Sequence, residues 1–439
     1  MRMNFEKAKS IVLLLLVILS LVLTYGIWTF QPQYDFRHKT NLLHTVNIGE
    51  KRQFNEVIKP IQFIYHHGGL HYRLTDYLLT NDVYQMVMNI SGLEYEQITF
   101  SSKEQLESAL LQSSSLELIY PVNLPINIVN YIMGSIRQEW DLPYFDRIVV
   151  NLSKEPALYF VSSISDQAVK LKIESNEINN LREKLELNYD QNSPYFTIRG
   201  NHGQILYLPE KRVDLRELTF STEDISSSDF KNALFTDLKG VKQYNLNNGE
   251  ESFTDGIRAL EISKNQEMMR FINPANQEVY ELEPGEMILK SIEFVNEHSG
   301  WTDSYSLMDW SKNNHSVNFR LMVNGYPVFS QNGAAIIYES WRDNEIYEYV
   351  RSLINLRFNI ASEQKTVVLP SGRELLSYLT QVKPHFTLSS LEAAFIGYDL
   401  AEKNINTAVV TVQPKWYIKY DGKWEDVVIP STSNGQGGN

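Results

Sequence analysis

The chain contains no cysteine, which excludes disulfides, a thiolate nucleophile and any cysteine-held metal. It also lacks the G-x-S-x-G elbow of a serine hydrolase, a phosphate-binding glycine loop, an acidic EF-hand loop and an H-E-x-x-H pair. An excess of positive charge is missing too: 40 Lys and Arg stand against 53 Asp and Glu, a net charge of −13. Such a surface repels phosphate backbones and anionic membranes, so nucleic acid is not an expected partner. Long apolar runs are absent apart from one.

That one run, Ile11 to Phe30, carries no charge in 20 positions. At ~1.5 Å per helical residue it reaches about 30 Å, the thickness of a bilayer's hydrocarbon core. Arg2, Lys7 and Lys9 precede it against Glu6, which predicts a cytoplasmic N-terminus, although Arg37, Lys39, Lys51 and Arg52 on the far side weaken the bias. The alternative is a cleaved secretory signal. Leu23-Thr24-Tyr25-Gly26-Ile27 offers no pair of small residues at peptidase spacing, and the run outlasts a signal core of ~7–15 residues. The expectation is therefore an uncleaved single-pass helix over 11–30, with residues 1–10 in the cytoplasm and the bulk of the chain outside the cell membrane. Trp28, Phe30 and Tyr34 suit the outer interface. Leu13, Val17, Ser20, Thr24 and Ile27 alternate at spacings of four and three, one seam of a helix, and Ser20 with Thr24 is a small-xxx-small pair that lets helices approach closely. The competing account is that Ser and Thr are tolerated anywhere on a lipid-facing helix.

Beyond the run lie about 400 residues, enough for two or three domains. The fold class expected is α+β: an N-terminal transmembrane helix followed by a three-domain ectodomain of mixed sheets and helices. The first domain, 36–188, carries a capping box at Ser101–Glu104, strands at Leu116–Tyr120, Arg147–Leu152, Ala157–Ser162 and Val169–Ile173, and a helix over Asn176–Leu187 with Ile178, Leu181 and Leu185 on one face. The second, 189–283, has strands at Tyr195–Arg199 and Ile205–Leu208 about a turn at Asn201-His202-Gly203, then a helix over Ser226–Leu238. The third, 284–430, opens on Glu283-Pro284-Gly285-Glu286. It continues with a helix over Met287–His298, a hairpin of Val317–Val323 and Tyr326–Phe329 about Asn324-Gly325, strands at Ala335–Trp341 and Tyr347–Leu353, and a helix capped at Ser371. Thr407–Val412, Trp416–Tyr420 and the turn Asp421-Gly422 make the closing hairpin, and Ser431–Asn439 is a Gly/Ser/Asn tail expected to be disordered.

Nothing in this pattern is catalytic. His66-His67-Gly68-Gly69 could shape an oxyanion hole, but no nucleophile elbow accompanies it. A local turn with exposed or partly packed histidines is the simpler reading. His66, His67 and His71 alone do not argue zinc, and paired carboxylates such as Glu250-Glu251 or Glu281 with Glu283 arise by chance among 53 acidic residues.

The anchor and its exit, S-L-V-L-T-Y-G-I-W-T-F-Q-P-Q-Y-D from Ser20 to Asp35, together with P-K-W-Y-I-K-Y-D-G-K-W from Pro414 to Trp424, resemble the YycH family. Its members are bacterial membrane-anchored regulators of the WalK (YycG) sensor kinase. The resemblance implies three exterior domains, the last two sharing topology with the companion protein YycI. It also implies a membrane complex with a WalK-like kinase and a YycI-like protein through transmembrane helices, and no catalytic residue, metal or cofactor. Two further readings stay open: a membrane-tethered exterior module that binds a cell-wall fragment or peptide, and an anchored hydrolase of unrecognised type.

Overall fold

The computed structural model describes residues 9, 13–21, 47–91, 94–100, 105, 107–108, 114–134, 140–189, 192–246, 249–263, 267–274, 282–342, 344–360, 365–401 and 408–430. The chain divides into two compact units, Met1–Leu43 and His44–Asn439. In the first, residues 13–21 are helical and every side chain along them is exposed. Among the described residues no helix is long and apolar enough to cross a membrane, and 11–12 and 22–30 of the expected span lie outside them.

The second unit begins with nine strands in one antiparallel sheet. They are β1 (Gln62–His67), β2 (Leu70–Arg73), β3 (Glu94–Thr99), β4 (Ser114–Pro125), β5 (Tyr144–Asn151), β6 (Ala157–Ser162), β7 (Gln167–Lys172), β8 (Ser193–Arg199) and β9 (Ile205–Pro209). Their spatial order is β3-β7-β6-β5-β4-β1-β2-β8-β9. Every residue of β6 is buried, so both faces of the sheet are covered at its middle, which is why this strand reads as a continuous apolar run. Among the described residues four complete helices accompany the sheet: α1 (Phe54–Val57), α2 (Tyr77–Met88), α3 (Val129–Ile132) and α4 (Asn179–Asn188). Asp76 opens α2 by accepting from the Leu79 amide at 2.8 Å. Leu181 and Leu185 of α4, with Ile178 just before it, are buried as the helical spacing predicted. The expected capping box at Ser101–Glu104 lies outside the described residues.

The remaining strands are β10 (Val213–Arg216), β11 (Leu218–Asp224), β12 (Lys242–Asn245), β13 (Glu251–Thr254), β14 (Ala259–Ile262), β15 (Met268–Ile272), β16 (Tyr305–Ser311), β17 (Ser316–Val323), β18 (Tyr326–Phe329), β19 (Ile336–Arg342), β20 (Glu345–Ser352), β21 (Ile354–Asn359), β22 (Thr366–Leu369), β23 (Leu391–Leu400), β24 (Val409–Tyr420) and β25 (Lys423–Val427). Fourteen of them form one network, ordered β12-β13-β14-β15-β20-β19-β17-β18-β23-β24-β11-β21, with β16 beside β17 and β25 beside β24. β10 pairs with β22 alone. Three helices belong here: α5 (Ser227–Leu234), α6 (Pro284–Glu297) and α7 (Gly372–Val382).

Several expectations meet a different structure. β8 and β9, read as the opening of a second unit, extend the first sheet by pairing β8 with β2. The stretch from 210 to 272, read as one helix with turns, also holds β10 to β15. Five of these six strands run only four or five residues, too short to establish a period, and none of the residues in β12 is buried. The helix expected over Ser226–Leu238 stops at Leu234. The two strands expected on either side of Pro414 are one, β24. Proline cannot donate to a ladder, and Pro414 falls where that edge of β24 changes partner, from β11 at 409–412 to β25 at 416–420. The hairpin at Asn324-Gly325 forms with both residues at positive φ, 49° and 78°, as a two-residue turn of this type requires. Its return strand β18 keeps only two pairs with β17 before running parallel to β23.

Ser371 and Glu374 form a reciprocal capping box that seats α7 on β9. A Cβ at Gly372 would stand 2.5 Å from Leu208 Cβ and 3.0 Å from Phe196 Cε1. Gly372→Ala should therefore destabilise the fold by about 1–3 kcal/mol through overpacking. Urea unfolding with an unchanged midpoint would show that the helix shifts freely.

Candidate functional site

Of the residues expected to pack against another membrane helix, Leu13, Val17 and Ser20 lie on the helical segment 13–21, all exposed. Thr24, Ile27, Trp28, Phe30 and Tyr34 fall outside the described residues. Leu13, Leu14, Leu15, Leu16, Val17, Ile18, Leu19 and Leu21 are all exposed apolar side chains, a contiguous patch of the kind that marks an interface with lipid or protein.

Within the larger unit the two sheet systems are stitched by side chains bonding to backbone. Ser306 donates to the Val57 carbonyl at 2.9 Å, Trp310 Nε1 to the Asn123 carbonyl at 2.8 Å and Gln204 Nε2 to the Glu392 carbonyl at 2.5 Å. Asn296 accepts from the Arg52 amide and donates to its carbonyl. Two clefts open along this junction. One of about 680 Å³ is lined by Lys59, Arg73, α2 and the β17–β18 turn, and one of about 620 Å³ by Asp146, Arg147, Gln204 and Glu392.

A buried ionic centre adjoins the second cleft. Glu117, on β4, accepts from Arg147 Nη1 at 2.5 Å, Tyr207 Oη at 2.6 Å and His66 Nε2 at 3.2 Å. Burial pushes its carboxyl up, but Arg147, His66 and Tyr207 outweigh that and hold it at about 2. Arg147 is further fixed by Ser163 at 2.9 Å, Asp146 at 3.3 Å and the Ile205 carbonyl at 2.6 Å. The cross-strand pair His66 and His71 meets through Nδ1 atoms 2.7 Å apart. Two ring nitrogens at that distance share one proton, so one imidazole donates and the other accepts. Burial, then the neighbouring His66, lowers His71 to about 4. The His-His-Gly-Gly run is thus a hairpin turn, with Gly68 and Gly69 at φ 59° and 79°. His66 is an interior partner of Glu117, and His67 stacks on Tyr65.

A second centre lies on the other sheet. Arg351, fully buried, donates to the Gly300 carbonyl, to Tyr349 Oη at 3.1 Å and to Thr302 Oγ1 at 2.9 Å. Beside it, burial and then Arg351 lower His298 to about 3, and burial raises Asp303 to about 6. Burial raises Glu339 well above the ordinary carboxylate range, against smaller opposing contributions from the Ser291 hydroxyl and Arg351. None of Glu117, Arg147, Glu339 or Arg351 was marked by the sequence. Each is a charged residue in a strand-like run, and only the pairing of distant strands shows that it faces inward. Among the described residues no group of three or more His, Cys, Asp or Glu is placed to hold a metal.

An exposed apolar N-terminal segment and a large α+β unit with polar centres held by hydrogen bonds define a class of protein built for contact. The chain belongs to the YycH family: the model of the YycH protein N-terminal domain matches residues 6–189, and that of the C-terminal domain residues 203–433. It is 25% identical over 455 aligned positions to the two-component system WalR/WalK regulatory protein YycH of Bacillus subtilis, covering 98% of this chain and 97% of that one. The fold is similar to the crystal structure of YycH from Bacillus subtilis, with a TM-score of 0.74 and 21% identity over 87% of this chain and 99% of the other.

Proposed function

We propose that this protein is a non-enzymatic regulator of a two-component system, acting on a WalK-like sensor histidine kinase in a membrane complex with a YycI-like protein. The observation that carries the reading is the end-to-end match to a relative named as a WalR/WalK regulator. The exposed apolar segment at 13–21 supports a single-pass anchor over 11–30, with the N-terminus in the cytoplasm and the remainder outside. The division of the exterior part at 36–188, 189–283 and 284–430 belongs to the same proposal.

In mechanism, Leu13, Val17, Ser20, Thr24 and Ile27 form the packing seam, while Trp28, Phe30 and Tyr34 sit at the outer interface. A kinase has two signalling conformations, and a helix that packs better against one shifts their populations. A difference of ~1.4 kcal/mol changes their ratio about tenfold.

The test is a membrane two-hybrid assay against the kinase and the YycI-like protein, using the full chain, residues 1–36 alone, and the full chain with Ser20→Leu and Thr24→Leu. Binding by 1–36, and about tenfold weaker binding by the double variant, is expected. Binding only by the full chain, indifferent to both substitutions, would move recognition to the exterior part. A second reading, a tethered binding module, is favoured by the cleft at Lys59 and Arg73.

A further inference from the structure

The cleft of about 680 Å³ between α2, β2 and the β17–β18 turn has an unusual charge inventory. Lys59 and Arg73 are the only charged residues lining it; among the described residues Arg73 has no carboxylate partner, and Lys59 has only Glu56 nearby, without an ion pair. Lys59 Nζ donates to Asn81 Oδ1 at 3.3 Å. Arg73 is 5% exposed, reaches Tyr195 Oη at 3.4 Å and lies 4.8 Å from the Tyr326 ring centre. Its Nε is buried with no hydrogen-bond partner. A buried guanidinium left without a counter-charge is costly, and an orphaned buried donor calls for an explanation. In a chain with 53 acidic residues, the omission is a local feature of this cleft.

The walls are apolar and aromatic, supplied by Phe63, Tyr77, Tyr84, Tyr305, Met322 and Tyr326, and Thr75, Thr80, Asn81, Ser304 and Asn324 add hydroxyls and amides. We propose that this cleft binds the C-terminal carboxylate of a short hydrophobic peptide. Arg73 and Lys59 take the carboxylate, the aromatic walls take the side chains, and the hydroxyls and amides bond the peptide groups. A guanidinium fork matches a carboxylate with paired hydrogen bonds. A monoanion suits two cations inside a strongly negative molecule, whereas a multiply charged phosphate meets the long-range repulsion of the whole. The proposal stands whether or not the chain acts on a kinase.

Calorimetric titration of the full chain in nanodiscs with N-acetyl-leucyl-leucine, its C-terminal amide and octanoate tests it. The acid should bind at least about tenfold more tightly than the amide, and Lys59→Met should lose about the same factor. Arg73→Met should abolish binding, but its buried position risks misfolding. Lys59 is only partly buried, and the Lys59→Met protein, checked by urea unfolding, decides the matter alone. Absent binding of the acid, equal binding of the amide, or unchanged affinity in Lys59→Met overturns the proposal. Octanoate binding as tightly as the dipeptide overturns the peptide assignment.

Discussion

Glu117→Gln is expected to lower the stability of the folded protein by about 3 kcal/mol, near the lower end of the range for breaking a buried ion pair. The amide keeps the shape but removes the charge opposite Arg147, and its NH2 group must face a donor, either Arg147 or the pair Tyr207 and His66. Arg147 retains Asp146 at 3.3 Å, which limits the loss. The pH dependence follows from the depressed carboxyl. Folded Glu117 stays ionised down to about 2, whereas the unfolded group protonates near the model value of 4.5. The contribution is therefore full above pH 4.5 and disappears as the pH falls through 2. His71 acts in the same direction at higher pH, because its unfolded imidazole takes a proton below 6.5 and the folded one only near 4. Urea midpoints of the wild type should fall as the pH is lowered from 4.5 to 2. Those of Glu117→Gln should fall less steeply between pH 4.5 and 2. Equal midpoints for the two proteins at pH 7 would sink the claim that this centre stabilises the fold.

Glu339→Met should do the reverse and stabilise the protein at pH 7, by on the order of 2 kcal/mol. Burial raises the Glu339 carboxyl well above its ordinary value, and neither the nearby Ser291 hydroxyl nor Arg351 offsets it. As the pH rises above 4.5 the unfolded chain releases this proton while the folded chain keeps it, so the unfolded state gains and stability falls. Methionine has a similar volume and no proton to hold. The stabilisation should shrink as the pH is lowered to 4.5; a gain that is the same at pH 4.5 and pH 7 would assign it to packing alone. The two buried glutamates thus respond oppositely to replacement by a neutral side chain. One has Arg147 as a direct partner, and the other lies near Arg351 without a bond to it.

Much of the α+β content was legible where the signal was local. Ala157–Ser162 coincides with β6, and Ser371 caps α7 through the expected partner Glu374. Asn324-Gly325 makes its turn because the two positive φ angles are a property of those residues. The four-residue strands Lys242–Asn245, Glu251–Thr254 and Ala259–Ile262 were not legible, because so short a run shows too few side chains to reveal a period. Pro414 argued for a break that the structure does not make. Whether a missing N–H matters depends on which strand lies beside it.

The same division holds for the places where function is proposed. The sequence by itself determined the apolar N-terminal run, the net charge of −13, the absence of cysteine and the local elements with their caps and turns. Each depends on residue type or near-neighbour spacing. Only the tertiary structure decided that His66 meets Glu117, that Gln204 reaches across to Glu392, and that Arg73 is buried beside Tyr326 without a carboxylate. These groups are 51, 188 and 253 residues apart in sequence. Pairing of β1 with β4 brings the first pair together and contact between the two sheet systems the others, and no periodicity within a single segment encodes which strand will be its neighbour.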